Sequence, residues 1–280
     1  MNSNAEKPNP ISTGLNDFYI KWSSKDNLGI QYDIEVANRK ANVIFKLVPN
    51  DFIASLKKVL DYGCGYGAFL HRFSGLVGSG LYQSIGVDFS DAAITAASQI
   101  FCKAGLVYKK LPSLDIKENR YVLEDLVGNG VDVILLIDVL EHVTDCNTLI
   151  QGLSEFSELF LIKLPIESSL IDNYFLPKEY PSVFHSNGHL REFDANNVHY
   201  FVRELGLTPI FETLYLYDNR DLYPPLPSGA PIRRKLVRLA IMLIKSILLF
   251  TLPKKIYMRI AGGGGYICLA SFNQSHILYP

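Results

Sequence analysis

The feature that most constrains this chain is the stretch from Val59 to Leu70, which reads VLDYGCGYGAFL. Its apolar start is typical of a buried strand. The three glycines that follow, Gly63, Gly65 and Gly67, predict a turn in which the backbone approaches a ligand closely before a helix begins. A strand, a glycine turn and a helix in this order indicate a nucleotide-type binding site.

The glycine spacing by itself leaves two kinds of ligand open. Gly63, Gly65 and Ala68 also satisfy the dinucleotide fingerprint, with Asp88 about 20 residues on. Asp61 favours the other kind, because it lies close to where a dinucleotide would place its pyrophosphate, which a carboxylate repels. S-adenosylmethionine (SAM) has no phosphate, and a carboxylate attracts its ammonium and sulfonium charges. A tight turn that binds nothing is the remaining alternative.

The segment from Asp61 to Gly67 resembles the first motif of the class I SAM-dependent methyltransferases, an acidic residue followed by Gly-x-Gly-x-Gly. The resemblance extends over roughly Gln31 to Phe272, with further matches near Asp88 and Asp138. It implies an enzyme that uses SAM as its cofactor. It also implies a Rossmann-like fold whose seven strands follow the order 3-2-1-4-5-7-6, with strand 7 antiparallel.

The pattern of elements independently predicts an α/β fold with a doubly wound, mostly parallel sheet. Strands alternate with helices, and Val131 to Ile137 is nearly continuous apolar sequence, as expected of a parallel strand covered on both faces. We expect a later strand to stop at Pro165, Asp194 to cap a helix, and Gly262 to Gly265 to form a flexible turn. In such sheets ligands bind at the carboxyl ends of the strands.

Four further residues are candidates for binding the cofactor. Asp88 ends the second strand, where a carboxylate accepts hydrogen bonds from both ribose hydroxyls, unless it serves only as a favourable charge at a helix N-terminus. Phe89 packs on the adenine or belongs to the core. By resemblance, Asp138 and Val139 contact the methionine part of SAM after the fourth strand. The family often holds the adenine amino group with an acidic residue after the third strand, and Asp115 comes slightly late for that role.

Methyl transfer to a hydroxyl needs an aligned acceptor and a base that takes the proton, and two histidines are candidates for that base. His142 follows Asp138 on the same loop, and an imidazole, with an unperturbed pKa of about 6.5, suits proton transfer. His189 lies in a Gly-His-Leu-Arg segment that, by resemblance to small-molecule and glycan methyltransferases, borders the acceptor site. For each histidine a purely structural hydrogen bond is the alternative.

The spacing Asp138-x-x-Glu141-His142 also resembles the metal triad of the ubiquinone-biosynthesis O-methyltransferases, in which the first position is Glu. Two carboxylates and one imidazole are at best a partial set of ligands for a metal ion. We therefore expect no bound metal.

Four segments are expected along the chain. They are an N-terminal arm or lid at 1–30, a SAM-binding core at 31–222, a helical basic and apolar insertion at 223–262, and a final strand and tail at 263–280. In the arm, Phe18, Tyr19 and Trp22 either line a lid or pack the arm against the protein.

The insertion has an uneven charge pattern. No acidic residue follows Asp221 but eight basic residues do, so the first 221 residues carry −9 while the whole chain carries −1. On a helical wheel Arg234, Arg238 and Lys245 form one basic stripe in an otherwise apolar helix, which is too interrupted to span a membrane. Residues 233–255 either contact an anionic membrane surface or form a lid with the stripe in solvent, packed on the protein itself or on a second subunit.

The expected function is O-methylation of a small molecule or of a glycan, including a lipid-linked glycan. A quinone-type or phenolic acceptor is an alternative, and so is a SAM-binding module without turnover. We expect no nucleic-acid partner, and the oligomeric state stays open. A cytoplasmic location is expected, with membrane association only through 233–255, because the four cysteines have no framework spacing and Met1 to Gly14 has no apolar signal segment.

Overall fold

The structure is a computed structural model, and it describes residues 28–113, 115–166, 169–170, 189–217 and 231–272. The aromatic residues expected in the N-terminal arm lie outside the described residues. The described residues belong to two compact units. One contains the chain up to Ile137 together with Asp145–Leu159, and the other contains Asp138–Thr144 together with the chain from Phe160 onwards.

The first unit begins with helices and continues as strands that alternate with helices, as the sequence pattern predicts. Its elements are α1 (Leu28–Leu47), α2 (Asn50–Ser55), β1 (Lys58–Tyr62), α3 (Ala68–Val77), β2 (Gln83–Asp88), α4 (Asp91–Ile100), β3 (Leu106–Lys110), α5 (Ile116–Val127), β4 (Val133–Ile137) and α6 (Cys146–Leu153). Strand β1 pairs in parallel with both β2 and β4, and β2 pairs in parallel with β3. The apolar side chains from Val133 to Leu136 are fully buried, as a strand covered on both faces requires.

Polar side chains determine where three of these helices begin. Ser90 accepts a hydrogen bond from the Ala93 amide at 3.3 Å, and α4 starts at the next residue, as predicted. Asp115 and Asp145 cap α5 and α6 in the same way. Each cap satisfies a backbone N–H that has no partner within the first turn of its helix.

Apart from Leu159, which belongs to the first unit, the remaining elements of the sheet and the insertion lie in the second unit. They are β5 (Leu159–Ile166), α7 (Val198–Glu204), β6 (Leu207–Leu216), α8 (Ile232–Thr251), α9 (Lys254–Ala261) and β7 (Gly264–Phe272). Strands β6 and β7 run antiparallel, with Leu207 opposite Phe272 and Leu216 opposite Gly264.

The seven described strands form one sheet in the order β3-β2-β1-β4-β5-β7-β6. This order and the antiparallel last strand confirm the predicted doubly wound, Rossmann-like fold class. The chain adds strands on one side of β1 as far as β3 and then crosses to β4 on the other side. The carboxyl end of β1 therefore lies at the switch point of the sheet, where ligands of α/β proteins bind.

Two predicted boundaries are wrong. Strand β5 continues through Pro165 to Ile166, since a proline one residue before a strand's end disturbs little of its pairing. Helix α7 begins at Val198 and not directly after Asp194. The Asp194 carboxylate instead accepts hydrogen bonds from the amides of Asn196 and Asn197, at 2.6 and 3.1 Å, and so stabilises a turn that precedes the helix.

The glycine run before β7 is only partly a turn. Gly262 and Gly263 adopt left-handed φ angles of 66° and 76°, as a turn requires, but Gly264 is the first residue of β7. A Cβ atom at Gly264 would lie 2.0 Å from Met258 Cε and 2.8 Å from the carbonyl oxygen of Tyr215. The expectation of a flexible turn is therefore wrong for the second half of the run, where glycine permits close packing.

Helix α8 occupies most of the predicted insertion, and its packing contradicts the expected orientation of the basic stripe. Lys245 is only 6% exposed and Arg238 is half-buried, so this side of the helix does not face solvent. Both sides of α8 are rich in apolar residues, and the wheel therefore could not identify the side that packs. No helix in the described ranges is long and apolar enough to cross a membrane.

Candidate functional site

The candidate residues form two groups, one in each unit, and the glycine turn organises the first group. Gly63, Gly65 and Gly67 have φ angles of 81°, 52° and 76°, in the left-handed region that side chains disfavour. The amides of Gly63 and Cys64 both donate to the carbonyl oxygen of Val87, at 2.8 and 3.0 Å. The turn after β1 is thus fixed to the end of β2.

Tyr108 of β3 packs against this turn, a contact that the sequence analysis missed. Its hydroxyl donates to the carbonyl oxygen of Gly67 at 3.2 Å. A Cβ atom at Gly67 would lie 2.6 Å from Tyr108 Cε1, and one at Gly86 would lie 2.8 Å from Tyr108 Cδ1. The absence of a side chain at both glycines therefore leaves room for the Tyr108 ring. The ring packs against the glycine turn and stabilises it.

Asp88 joins the turn to the end of β2. One carboxylate oxygen accepts the Gly65 amide and the other accepts the Ser90 amide, each at 2.9 Å. Burial raises the pKa of Asp88, while hydrogen bonds from the amides of Ser90, Gly65 and Phe89 oppose that rise. Because each oxygen can accept more than one hydrogen bond, the carboxylate can hold the turn and still accept from ribose hydroxyls.

Asp61 is the most unusual residue of the first group. It is 1% exposed, and its Oδ2 atom is buried without a hydrogen-bond partner among the described residues. Burial, followed by repulsion from Asp88, raises the pKa of Asp61 to about 8. A buried carboxyl with an unsatisfied oxygen is stabilised by a cationic hydrogen-bond donor and destabilised by an anion. Asp61 therefore fits the ammonium group of SAM better than a pyrophosphate.

Two residues are candidates for a contact with the adenine. Phe89 is half-exposed after β2, so it does not belong to the closed core, and its contact with adenine stays a prediction. Asp115 uses its carboxylate to accept the Lys117 amide at 2.9 Å. Asp115 is exposed and caps α5, so its carboxylate has a structural role at the start of that helix.

A buried amide organises the segment after β3. Asn119 donates to the hydroxyl of Tyr62 at 3.2 Å and to the carbonyl oxygen of Ser113 at 2.9 Å, and it accepts the Ser113 amide at 3.2 Å. It links this segment to the end of β1. The sequence analysis did not identify Asn119, because a single Asn in an amphipathic helix pattern carries no signal of burial.

The second group is built around Asp138. This residue has a φ angle of 56°, and it is the one non-glycine with positive φ in the described ranges. Its amide donates to the carbonyl oxygen of Lys163 at 3.0 Å, and its carboxylate accepts from Lys163 Nζ. Lys163 Nζ also donates to the hydroxyl of Tyr217 at 2.8 Å. Such strain persists only where the surroundings hold it, and it is frequent at functional sites.

Lys163 remains charged although it is buried. Burial lowers its pKa, but attraction by Asp138, Tyr215 and Glu141 and the hydrogen bond to Asp138 outweigh burial and raise the pKa overall. The sequence signal for this ion pair is one lysine in the otherwise apolar strand LFLIKLPI. The sequence analysis predicted a strand here and assigned no role to its lysine.

The two histidine candidates lie together. The ring centroids of His142 and His189 are 4.6 Å apart, with the edge of one ring against the face of the other. The Leu190 amide donates to the carbonyl oxygen of Glu141 at 2.8 Å. Arg191 donates to the carbonyl oxygens of Leu140, Val143 and Thr144, the last two at 2.5 and 3.2 Å. Arg191 therefore clamps the loop after β4 onto the segment that carries His189.

The metal triad suggested by the ubiquinone-type resemblance does not describe this cluster. Asp138 is engaged by Lys163, and the residues whose ligand atoms all lie within 4.8 Å of one another are Glu141, His142 and His189. One carboxylate and two imidazoles suit zinc or iron better than magnesium. The absence of a resident metal stays a prediction.

We expect Arg191→Lys to loosen the clamp, because an ammonium group cannot reproduce the fork of N–H donors that reaches three carbonyl oxygens. Exchange of the Leu190 amide hydrogen should become at least about tenfold faster, as charged hydrogen bonds are each worth about 1.5–3 kcal/mol. Hydrogen exchange read by NMR measures this. Arg203→Lys, which alters an exposed pair with Glu212, is the matched control. Unchanged Leu190 exchange in Arg191→Lys would contradict the clamp.

Comparison with known proteins identifies a family. Residues 53–199 match the family model described as a methyltransferase domain. This range contains the glycine turn, Asp88, Asp138 and both histidines. The chain is also 38% identical over 103 residues to tRNA U34 carboxymethyltransferase from Dichelobacter nodosus. That alignment covers 36% of this chain and 29% of the other protein, so the chain spans less than a third of the length of this curated relative.

Solved methyltransferase structures share the fold at low sequence identity. An O-methyltransferase family protein from Burkholderia thailandensis is 13% identical with a TM-score of 0.54, over 91% of this chain and 62% of the other. A SAM-dependent methyltransferase from Anabaena variabilis is 14% identical with a TM-score of 0.53, over 94% and 95%. Magnesium protoporphyrin IX methyltransferase from Synechocystis, solved with bound SAH, is 13% identical with a TM-score of 0.50, over 94% and 95%.

Proposed function

Because this chain belongs to the class I SAM-dependent methyltransferases, we propose that it transfers a methyl group to a hydroxyl of a small-molecule or glycan acceptor. Asp61 carries the cofactor part of the proposal, since its buried, unsatisfied oxygen beside three left-handed glycines suits a cationic cofactor that approaches the backbone closely. When bound, SAM supplies a methyl group on a positively charged sulfur.

The first unit supplies the residues that hold the cofactor. Asp61 accepts from the ammonium group, Asp88 accepts from the ribose hydroxyls, and Gly63 to Gly67 let the backbone approach. Phe89 packs on the adenine. The roles of Asp138 and Val139 toward the methionine part rest on the family resemblance.

The second unit supplies the candidate base. His142 and His189 are both half-buried, so they are open to an acceptor, and one of them takes the hydroxyl proton. Two features support this role: the rings are in contact, and the Arg191 clamp fixes the loops that carry them. Quinone-type or phenolic acceptors fit the same chemistry. A SAM-binding module without turnover is the alternative from a different class.

A tRNA acceptor is a second candidate function. The observation that favours it is the 38% identity to a tRNA-modifying enzyme. Charge opposes it for the part of the chain that carries both groups of candidate site residues, because the first 221 residues have a net charge of −9, whereas RNA-binding surfaces need an excess of Lys and Arg. We therefore place the small-molecule or glycan acceptor first.

The cofactor assignment predicts that SAM binds and NADH does not. Asp88→Ala should weaken SAM binding by about 10- to 100-fold, because it removes charge-assisted hydrogen bonds to the ribose and to the Gly65 amide. Titration calorimetry measures both. Asp91→Ala, an exposed carboxylate at the start of α4, is the matched control and should bind SAM normally. Tight NADH binding without SAM binding would overturn the proposal.

An acceptor screen tests the reaction itself. The protein is incubated with methyl-labelled SAM and separate pools of small hydroxylated molecules, phenols and quinols, lipid-linked glycans and bulk tRNA, and labelled products are identified by mass spectrometry. A label on a hydroxyl of a non-nucleic-acid acceptor supports the proposal. A label only on tRNA selects the second candidate, and SAM binding without any labelled product selects the module.

A further inference from the structure

Helix α8 exposes an unbroken apolar stripe. Its side chains are between 55% and 91% exposed, which is unusual for large apolar residues. They are Ile232, Leu236, Leu239, Leu243, Ile247 and Phe250. Their spacings of 4, 3, 4, 4 and 3 residues place them on one side of the helix, opposite the buried Lys245. The 20-residue helix extends the stripe over about 30 Å.

Cations accompany the stripe. Arg233 and Lys235 are exposed, and on the helical wheel they lie on either side of its first residues. Lys255 and Arg259 are exposed on α9, which follows α8 directly. Lys254 does not belong to this set, because its ammonium donates to the carbonyl oxygen of Leu214. No acidic residue occurs anywhere in the chain after Asp221.

We propose that the outward side of α8 is a membrane-docking surface, which lies in the interface of an anionic lipid bilayer with its apolar stripe among the acyl chains. The four exposed cations then meet lipid phosphates and carboxylates. An amphipathic helix that combines a wide apolar side with basic residues binds lipid by these two contributions. None of the residues of this surface belongs to either group of candidate site residues, and the proposal does not depend on the proposed reaction.

Charge distinguishes a membrane from a second copy of the chain. In a two-fold symmetric contact between two α8 helices, identical surfaces face each other, so the cations of one copy approach those of the other without an acidic residue from this region to offset them. Like charges brought together in an interface are unfavourable. An anionic lipid surface offers acyl chains to the apolar stripe and negative charges to the cations at the same time.

Vesicle flotation with the full chain tests the proposal. The wild type should float with phosphatidylglycerol-containing vesicles at low salt and much less with pure phosphatidylcholine or at high salt. The stripe variant, Leu236→Gln with Leu243→Gln and Ile247→Gln, and the charge variant, Arg233→Gln with Lys235→Gln and Lys255→Gln, should each float at least about tenfold less. The control variant, Tyr82→Gln with Tyr121→Gln and Ile210→Gln, removes equally exposed apolar residues elsewhere and should float like the wild type.

Other outcomes overturn the proposal. The first is a wild type that does not float, and the second is a stripe variant that floats as well as the wild type. If light scattering shows a dimer that the stripe variant dissociates, and the protein does not float, the surface binds a second copy. Calorimetry with SAM on the same variants distinguishes membrane docking from cofactor binding, since all three variants should bind SAM normally.

Discussion

Asp61→Asn is expected to abolish detectable SAM binding while it makes the unliganded protein more stable. Asparagine has nearly the shape of aspartate but no charge. Only its side-chain oxygen can accept a hydrogen bond from the cofactor ammonium, because its NH₂ group is a donor. A buried charged hydrogen bond contributes about 1.5–3 kcal/mol, and loss of the charge also leaves two cofactor cations without a partner. We expect affinity to fall at least about 100-fold.

The stability effect follows from the pKa of Asp61. The folded protein holds this pKa at about 8, above the unfolded value of 3.8, because of burial and of Asp88. The folded state therefore prefers the protonated carboxyl, and this contribution to stability is fully present below pH 3.8 and lost as pH rises through 8. At pH 8 and above Asn avoids that loss, so Asp61→Asn should be about 2 kcal/mol or more stable than the wild type.

Two measurements check these expectations. Calorimetry gives SAM affinity, and denaturant unfolding at several pH values gives the difference in free energy of unfolding, which should grow from pH 4 to pH 8. Asp91→Asn, an exposed carboxylate in the same unit, should change neither quantity appreciably. If Asp61→Asn bound SAM as the wild type does, the ammonium contact would be wrong, even if the stability gain were observed.

The glycine turn was predictable because the residues that determine its backbone conformation are adjacent in the sequence. Gly63, Gly65 and Gly67 occupy left-handed positions that other residues avoid, so the sequence reports the backbone directly. Apolar runs such as Val133–Ile137 identify buried strands for a similar reason, since each residue must be apolar wherever the strand lies in the sheet. The order of the strands came from the family resemblance and not from these local signals.

The contacts that hold the candidate site were missed because they join distant parts of the chain. Asp138 pairs with Lys163, 25 residues away, and Arg191 reaches the carbonyl oxygen of Leu140, 51 residues away. A lone lysine or arginine in a sequence looks the same whether it is in solvent or in a buried pair. The side of α8 that packs was missed for a different reason, because apolar residues occur on both of its sides.

Removal of the candidate base should produce the largest loss of turnover. We expect His142→Ala or His189→Ala to lower turnover by about 10²- to 10⁴-fold, the usual contribution of general acid–base catalysis. Because the two rings are in contact, we propose that one imidazole takes the proton and that the other holds the first ring in place. The double variant should therefore lose little more than the worse single variant, as residues that act as a unit are not additive.

The measurements are turnover with methyl-labelled SAM and an acceptor from the screen, followed against pH. A base must be neutral, so wild-type turnover should fall at acidic pH, and the variants should lose this dependence. His199→Ala is the matched control, because the His199 ring lies against Tyr200 in the same unit. SAM affinity should be unchanged in all variants, which separates proton transfer from cofactor binding.

Three outcomes assign different roles to the histidines. Loss of only a few-fold in both single variants would exclude a base and leave alignment of the acceptor as the mechanism. A wild type that loses turnover on chelation and recovers it with zinc would assign Glu141, His142 and His189 to a metal site. A loss of 10²-fold or more that chelators do not reproduce, together with the change in pH dependence, supports one imidazole as the base that receives the acceptor's proton.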